Sequence, residues 1–255
     1  MERKCSCCGS AIGDAPHERT AEGCRCENCF LESRCGEAGD TERNAFAEAL
    51  AAALDLRERE TGLHSKRVAC HTLVLARRFT NDRERLRQIY WGALLHDIGK
   101  IGVPDAILLK RGPLTGDEEL VMRTHPESGH AILAGMSFLQ DAAQIVLSHE
   151  ERFDGSGYPQ GLAGEAIPFG ARLFSVIDTL DAMTSDRPYR EGLPFDAAKA
   201  EIVSLAGKHY DPTAVESFLG EERLLREMVA VKCAKAWRIP LGADVPSAPG
   251  NPLSP

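Results

Sequence analysis

The run Leu94-Leu95-His96-Asp97-Ile98-Gly99-Lys100 sets an imidazole beside a carboxylate at the end of an apolar helical stretch, with a lysine three residues further on. An imidazole supplies one terminal nitrogen ligand, and a carboxylate supplies oxygens able to bridge two cations. A bare His-Asp pair is as often a surface feature, so the reading depends on further ligands. Glu60 and His64 stand four apart on an expected helix, which would point both from one face. His125 precedes Pro126 at an expected helix start, and His149 closes a helix ahead of a glycine-rich loop. Asp178 and Asp181 fall on a helix whose other face is apolar. Each residue alone is a satisfied or solvent-facing polar group; together they suggest a metal centre.

The elements that must hold these side chains read as helices. From about residue 40 to 220, Ala-, Leu- and Glu-rich stretches carry apolar residues three and four apart, as in Leu173, Val176, Ile177 and Leu180. Thr115 and Glu118 have the spacing of a capping box, and Asp105, Pro126 and Pro212 sit at expected first turns. Strand-like alternation is scarce, so the fold class is all-α. The stretch 150–170 breaks the pattern with Gly155, Gly157, Pro159, Gly161, Gly164 and Pro168, and a loop of that length in a compact domain is more often functional than idle.

The 255 residues, 27.7 kDa and 43% hydrophobic content suit one large soluble domain with a small companion. A net charge of -8 removes the electrostatic drive for sequence-independent DNA or RNA binding. No apolar run approaches a membrane span, and the start lacks the apolar segment of a signal peptide, so the cytoplasm is the expected compartment.

Seven of the nine cysteines lie between Cys5 and Cys35, a clustering that favours metal over disulfides. Cys5-x2-Cys8 and Cys26-x2-Cys29, with 17 residues between the pairs, have the two-knuckle spacing of a four-thiolate structural zinc site. Cys7, Cys24 and Cys35 are surplus and leave an iron-sulfur cluster or a redox switch open. Cys70 and Cys233 read as inert buried thiols. The expected organisation is a Cys-rich zinc-ribbon-like module over 1–38, a helical domain over 41–222, and a C-terminal helix with a disordered tail over 223–255. The module reads as a passive cap or as the docking point for a signalling partner protein.

Taken in order, His96-Asp97-Ile98-Gly99-Lys100, Thr124-His125-Pro126-Glu127, His149-Glu150-Glu151 through Asp154-Gly155-Ser156-Gly157-Tyr158-Pro159, Asp178-Thr179-Leu180-Asp181-Ala182-Met183 and Asp186-Arg187-Pro188-Tyr189-Arg190 resemble the HD-GYP family of phosphodiesterases. The resemblance spans roughly residues 45 to 220. It implies an HD-domain helical bundle with a C-terminal HD-GYP extension, two or three divalent ions (Fe or Mn), and hydrolysis of cyclic di-GMP. His64, His96, Asp97, His125, His149 and Asp178 fall on ligand positions, with Asp97 bridging. Glu60 matches the acidic position that accompanies a third ion. Lys100 would reach the scissile phosphate, while Arg187, Arg190 and Tyr158 would contact phosphate or guanine, or brace the loop.

One residue departs from the family pattern. Glu150 stands where the family usually has a second His, and a carboxylate there still ligates Fe, Mn or Zn while shifting metal preference. The implied product is pGpG or GMP. Cyclic GMP-AMP as substrate, or a cyclic di-GMP sensor with a degraded site, are the other readings, and a homodimer is compatible with each.

Overall fold

The computed structural model describes residues 5–6, 18–20, 23–25, 41–58, 63–186 and 191–231. Two short strands, β1 (Glu18–Thr20) and β2 (Gly23–Arg25), pair antiparallel with Glu18 opposite Arg25 and Thr20 opposite Gly23. Everything else regular is helical: α1 (Thr41–Glu58), α2 (His64–Ala76), α3 (Arg83–Leu94), the single turn α4 (Asp105–Leu108), α5 (Gly116–Met122) and α6 (His125–Leu133). They are followed by α7 (Gln140–Ser148), α8 (Phe169–Thr184), α9 (Phe195–Ser204), α10 (Pro212–Gly220) and α11 (Glu222–Ala230). The largely helical architecture expected from the sequence is present.

Local chemistry sets the helix ends. Asp82 caps α3 by accepting from the Glu84 and Arg85 amides at 2.8 and 3.2 Å. The Thr115–Glu118 capping box forms as expected, its carboxylate accepting from the Thr115 amide at 2.7 Å. Asp211 caps α10, with Pro212 in its first turn.

The core gathers around α3 and α8. Leu173, Val176, Ile177 and Leu180 of α8 are all fully buried, as their spacing requires, and each contributes about 1.5–3 kcal/mol by leaving water. Trp91 of α3 is also fully buried, and its indole donates to Asn44 on α1 at 2.7 Å, which satisfies the one polar atom that burial would otherwise orphan. The opposite face of α8 carries Asp178 and Asp181 into a recess shared with the start of α2 and the turn after α3.

Two expectations need correction. The helix expected to run through Glu60 and His64 instead begins at His64, with Leu63 as its N-cap, and Glu60 lies outside the described residues. Cys70 is buried but disulfide-bonded rather than a thiol. Within the module expected to be held by zinc, Cys5 is buried and a two-stranded hairpin is present, whereas Cys8, Cys26 and Cys29 lie outside the described residues.

Candidate metal centre

Five chain segments deliver six side chains to one recess. His64 opens α2, His96 and Asp97 occupy the turn after α3, His125 opens α6, His149 caps the C-terminus of α7, and Asp178 projects from α8. Placing ligands at helix ends lets backbone carbonyls orient the rings. His96, His125 and His149 each donate Nδ1–H to the carbonyl three residues earlier, at Ala93 (2.9 Å), Met122 (2.8 Å) and Val146 (2.7 Å). That bond fixes Nδ1 as a protonated nitrogen and turns Nε2 into the recess.

The ligand atoms fall into two groups, His64 with His96 and Asp178, and Asp97 with His125 and His149, each set lying within 4.8 Å of one another. Nε2 of His125 and Nε2 of His149 stand 3.0 Å apart. Asp97 Oδ1 is 3.4 and 3.8 Å from those nitrogens, and Glu150 Oε1 is 3.9 and 4.0 Å from them. Burial depresses the His149 pKa to about 4 and lowers that of His125, so both rings are neutral near pH 7. Two lone pairs and two carboxylate oxygens then face a common point with no proton between them. Such a donor set fits a divalent cation and little else.

Asp97 is placed to serve both groups. Its Oδ2 lies 3.1 Å from His96 Nε2 and 2.6 Å from Lys100 Nζ, while Oδ1 faces the other group. Burial works against its ionisation, yet His96 and Lys100 hold the carboxyl well below the usual range. For His96, burial is outweighed by Asp97, which raises the imidazole pKa to about 9. Lys100 also reaches Glu58 Oε1 at 3.5 Å. It is therefore a fixed, part-buried cation at the edge of the recess.

The glycine-rich loop closes one side. Glu151, buried, accepts from the Gln160 amide at 2.7 Å and the Leu162 amide at 3.0 Å, pinning the loop from within. Gly157 is required because a Cβ there would sit 2.4 Å from the Arg152 nitrogen and 2.6 Å from the Glu150 carbonyl oxygen. The folded loop sets Tyr158 edge-on to His125, with ring centroids 6.5 Å apart, and the Arg123 guanidinium lies 5.0 Å over its ring. Burial and the neighbouring Glu150 keep the phenol protonated.

The HD domain model matches residues 48–214, which contain every ligand described above. The chain belongs to the HD domain family. Its signature residues assign it to the HD-GYP branch. This HD-domain protein is 42% identical over 191 residues to a cyclic di-GMP phosphodiesterase response regulator, RpfG, of Xanthomonas campestris pv. campestris, covering 74% of this chain and 50% of that one. It is 36% identical over 172 residues to 3'3'-cGAMP-specific phosphodiesterase 2 of Vibrio cholerae, covering 67% of this chain and 33% of that one. The chain thus spans half or less of these relatives. Among solved structures it resembles Bd1817, an HD-GYP-type protein from Bdellovibrio bacteriovorus, with a TM-score of 0.54 at 21% identity over 77% of this chain and 63% of the other.

Of the expected site residues, His64, His96, Asp97, Lys100, His125, His149, Glu150, Tyr158 and Asp178 converge on the recess. Glu60, Arg187 and Arg190 lie outside the described residues. Sequence reasoning did not assign Arg67, Glu58, Glu151 or Phe174. Phe174 walls the recess, its ring centroid 4.7 Å from that of His96 and 5.7 Å from that of His149. The i, i+3 spacing of Phe174 with Ile177, and of Arg67 with His64, was the only local signal for these roles. Among the described residues no helix is long and apolar enough to cross a membrane.

Proposed function

We propose that the chain is a metal-dependent phosphodiesterase that hydrolyses cyclic di-GMP to pGpG or GMP. The observation that carries this reading is the facing pair His125 Nε2 and His149 Nε2, with Asp97 reaching both ligand groups. His64, His96 and Asp178 would hold one ion, and His125, His149 and Glu150 a second, with Asp97 shared between them. Glu60 would add a third. Bound divalent cations, Fe or Mn in this reading, would supply Lewis-acid activation of water and neutralise charge on phosphoryl oxygens. Lys100, held by Asp97 and Glu58, is positioned to bind a non-bridging phosphate oxygen. Tyr158 with Arg123 above it offers a flat edge for a base, and Arg187 and Arg190 would add phosphate contacts. The relative active on cyclic di-GMP, at 42% identity, supports this substrate. The cGAMP-specific relative at 36% supports cyclic GMP-AMP as the second reading.

The domain limits that suit this function are a zinc-bound module over 1–38, the phosphodiesterase domain over 41–222 and the C-terminal segment over 223–255. The proposed structural zinc is held by Cys5, Cys8, Cys26 and Cys29, and the proposed compartment is the cytoplasm. The same module is the proposed contact for a signalling partner.

The test is metal analysis of anaerobically purified protein together with product analysis on both dinucleotides. We expect at least two ions in the HD site and pGpG or GMP from cyclic di-GMP. Fully metallated protein that binds cyclic di-GMP without cleaving it would make the chain a sensor, and faster cleavage of cyclic GMP-AMP would change the substrate.

A further inference from the structure

Three of the four histidines in the recess lean on neutral backbone carbonyls of their own helix or turn. His64 does not. Because it opens α2, its Nδ1 turns instead to Asp181 Oδ2 at 2.8 Å, a carboxylate on α8, 117 residues away in sequence. Asp181 is 1% exposed, so its charge is taken fully out of water. It is held there by Arg67, one turn beyond His64, whose Nε donates to Oδ1 at 2.8 Å and whose Nη2 donates to Oδ2 at 3.1 Å. Ser185 Oγ adds a third donor at 3.2 Å. Arg67 is itself buried.

A buried ion pair is seldom justified by stability alone, since desolvating both charges offsets most of their attraction. This one instead fixes a geometry. The carboxylate accepts the Nδ1 proton of His64, which leaves Nε2 as the acceptor, 3.7 Å from Asp178 Oδ1. It also ties α2 to α8, the two helices that bring His64 and Asp178 together. We propose that Asp181, clamped by Arg67, is a positioning residue for the His64, His96 and Asp178 half of the metal centre, so that the two half-sites are set by different devices. In the other half the His125 and His149 rings are oriented by the backbone carbonyls of Met122 and Val146. Asp181 therefore acts on one ion and not on the other. This inference rests on the metal-dependent reading of the recess.

The experiment titrates metal-free full-length protein with Co(II), followed by visible absorption under competition from a chelator, in wild type and in Asp181→Asn. The asparagine oxygen can take the His64 proton only by turning its amide hydrogens toward the Arg67 donors, so one contact is lost. Binding of one Co(II) should weaken by about 10- to 100-fold, with the other ion unchanged. A folded Asp181→Asn protein that binds both ions as wild type does, or loses both equally, overturns the proposal. Should that variant fail to fold, Arg67→Met with Asp181→Asn removes both buried charges together, and the same one-ion loss is expected of it; two ions at wild-type affinity there would overturn the proposal as well. Wild-type protein that binds no Co(II) in the recess would overturn the metal reading itself, an outcome distinct from either variant result.

Discussion

Gly99, inside the His-Asp-x-Gly-Lys run, sits where the turn after α3 meets the first turn of α6. A Cβ on it would lie 1.9 Å from the His125 carbonyl oxygen and 2.4 Å from the Gly129 nitrogen. Both are backbone atoms, so no rotamer change relieves the clash. Opening 1.9 Å to the 3.0 Å below which such contacts are essentially never seen requires α6 to back away by about 1.1 Å. His125 rides on that helix, and its Nε2 is 3.4 Å from Asp97 Oδ1. Functional geometry tolerates roughly 0.5 Å. Gly99→Ala should therefore weaken binding of the ion at His125 and His149 by about 10- to 100-fold, the range typical of disturbing what orients a metal ligand. Overpacking against backbone also belongs at the upper end of its range, about 3 kcal/mol, which for a chain of this size lowers the melting temperature by roughly 6–12 °C. Circular-dichroism melting of the metal-free variant and metal titration read the two effects separately. A variant that melts within about 2 °C of wild type and binds metal normally would refute the packing argument.

Glu150→His should change the order of preference among Fe, Mn and Zn without unfolding the protein, since Glu150 faces His125 and His149 at 3.9 and 4.0 Å; unchanged metal content and rate would show that the carboxylate is not a ligand. Glu151→Ala leaves the Gln160 and Leu162 amides without their acceptor and should lower stability by about 2 kcal/mol in chemical denaturation, with Glu151→Gln intermediate. Glu60→Ala should remove about one ion per chain by elemental analysis, and an unchanged count would argue for a binuclear centre. Deleting residues 1–38, or changing Cys26 and Cys29 to Ser, should remove one zinc while leaving the helical domain folded by circular dichroism, because four thiolates on zinc would supply most of the folding free energy of so short a segment; loss of a visible chromophore on the same changes would replace zinc with an iron-sulfur cluster.

The ligands were legible because each is announced by its own segment. His125 beside Pro126, His149 at the end of an amphipathic stretch, and His96 and Asp97 after an apolar run are all local patterns, and the helix ends they imply are present. Asp178 and Asp181 were equally visible as a polar pair on α8. What separates their roles is which partner faces each, and those partners arrive from across the fold, both on α2: His64 Nε2 against Asp178 and the Arg67 guanidinium against Asp181. No period within one helix encodes that. The helix expected through Glu60 and His64 begins only at His64, because Leu63, at φ -126° and ψ -2°, is its N-cap, and apolar periodicity alone does not mark such a boundary. Cys70 sits singly in the sequence, far from the cysteine cluster, and nothing near it marks a disulfide.

Arg57, in the last turn of α1, donates to the carbonyls of Lys100, Ile101 and Val103 and to the Asp105 carboxylate at 2.8 Å. One guanidinium thus holds the whole strand of backbone that leaves the His-Asp turn, while its neighbour Glu58 faces the Lys100 ammonium. The end of α1 and the Lys100 segment are consequently one mechanical unit. A shorter version of the protein that starts after Glu58 would retain all the histidine ligands and still lose the hold on the Lys100 loop, so minimal versions made for solution work should keep α1.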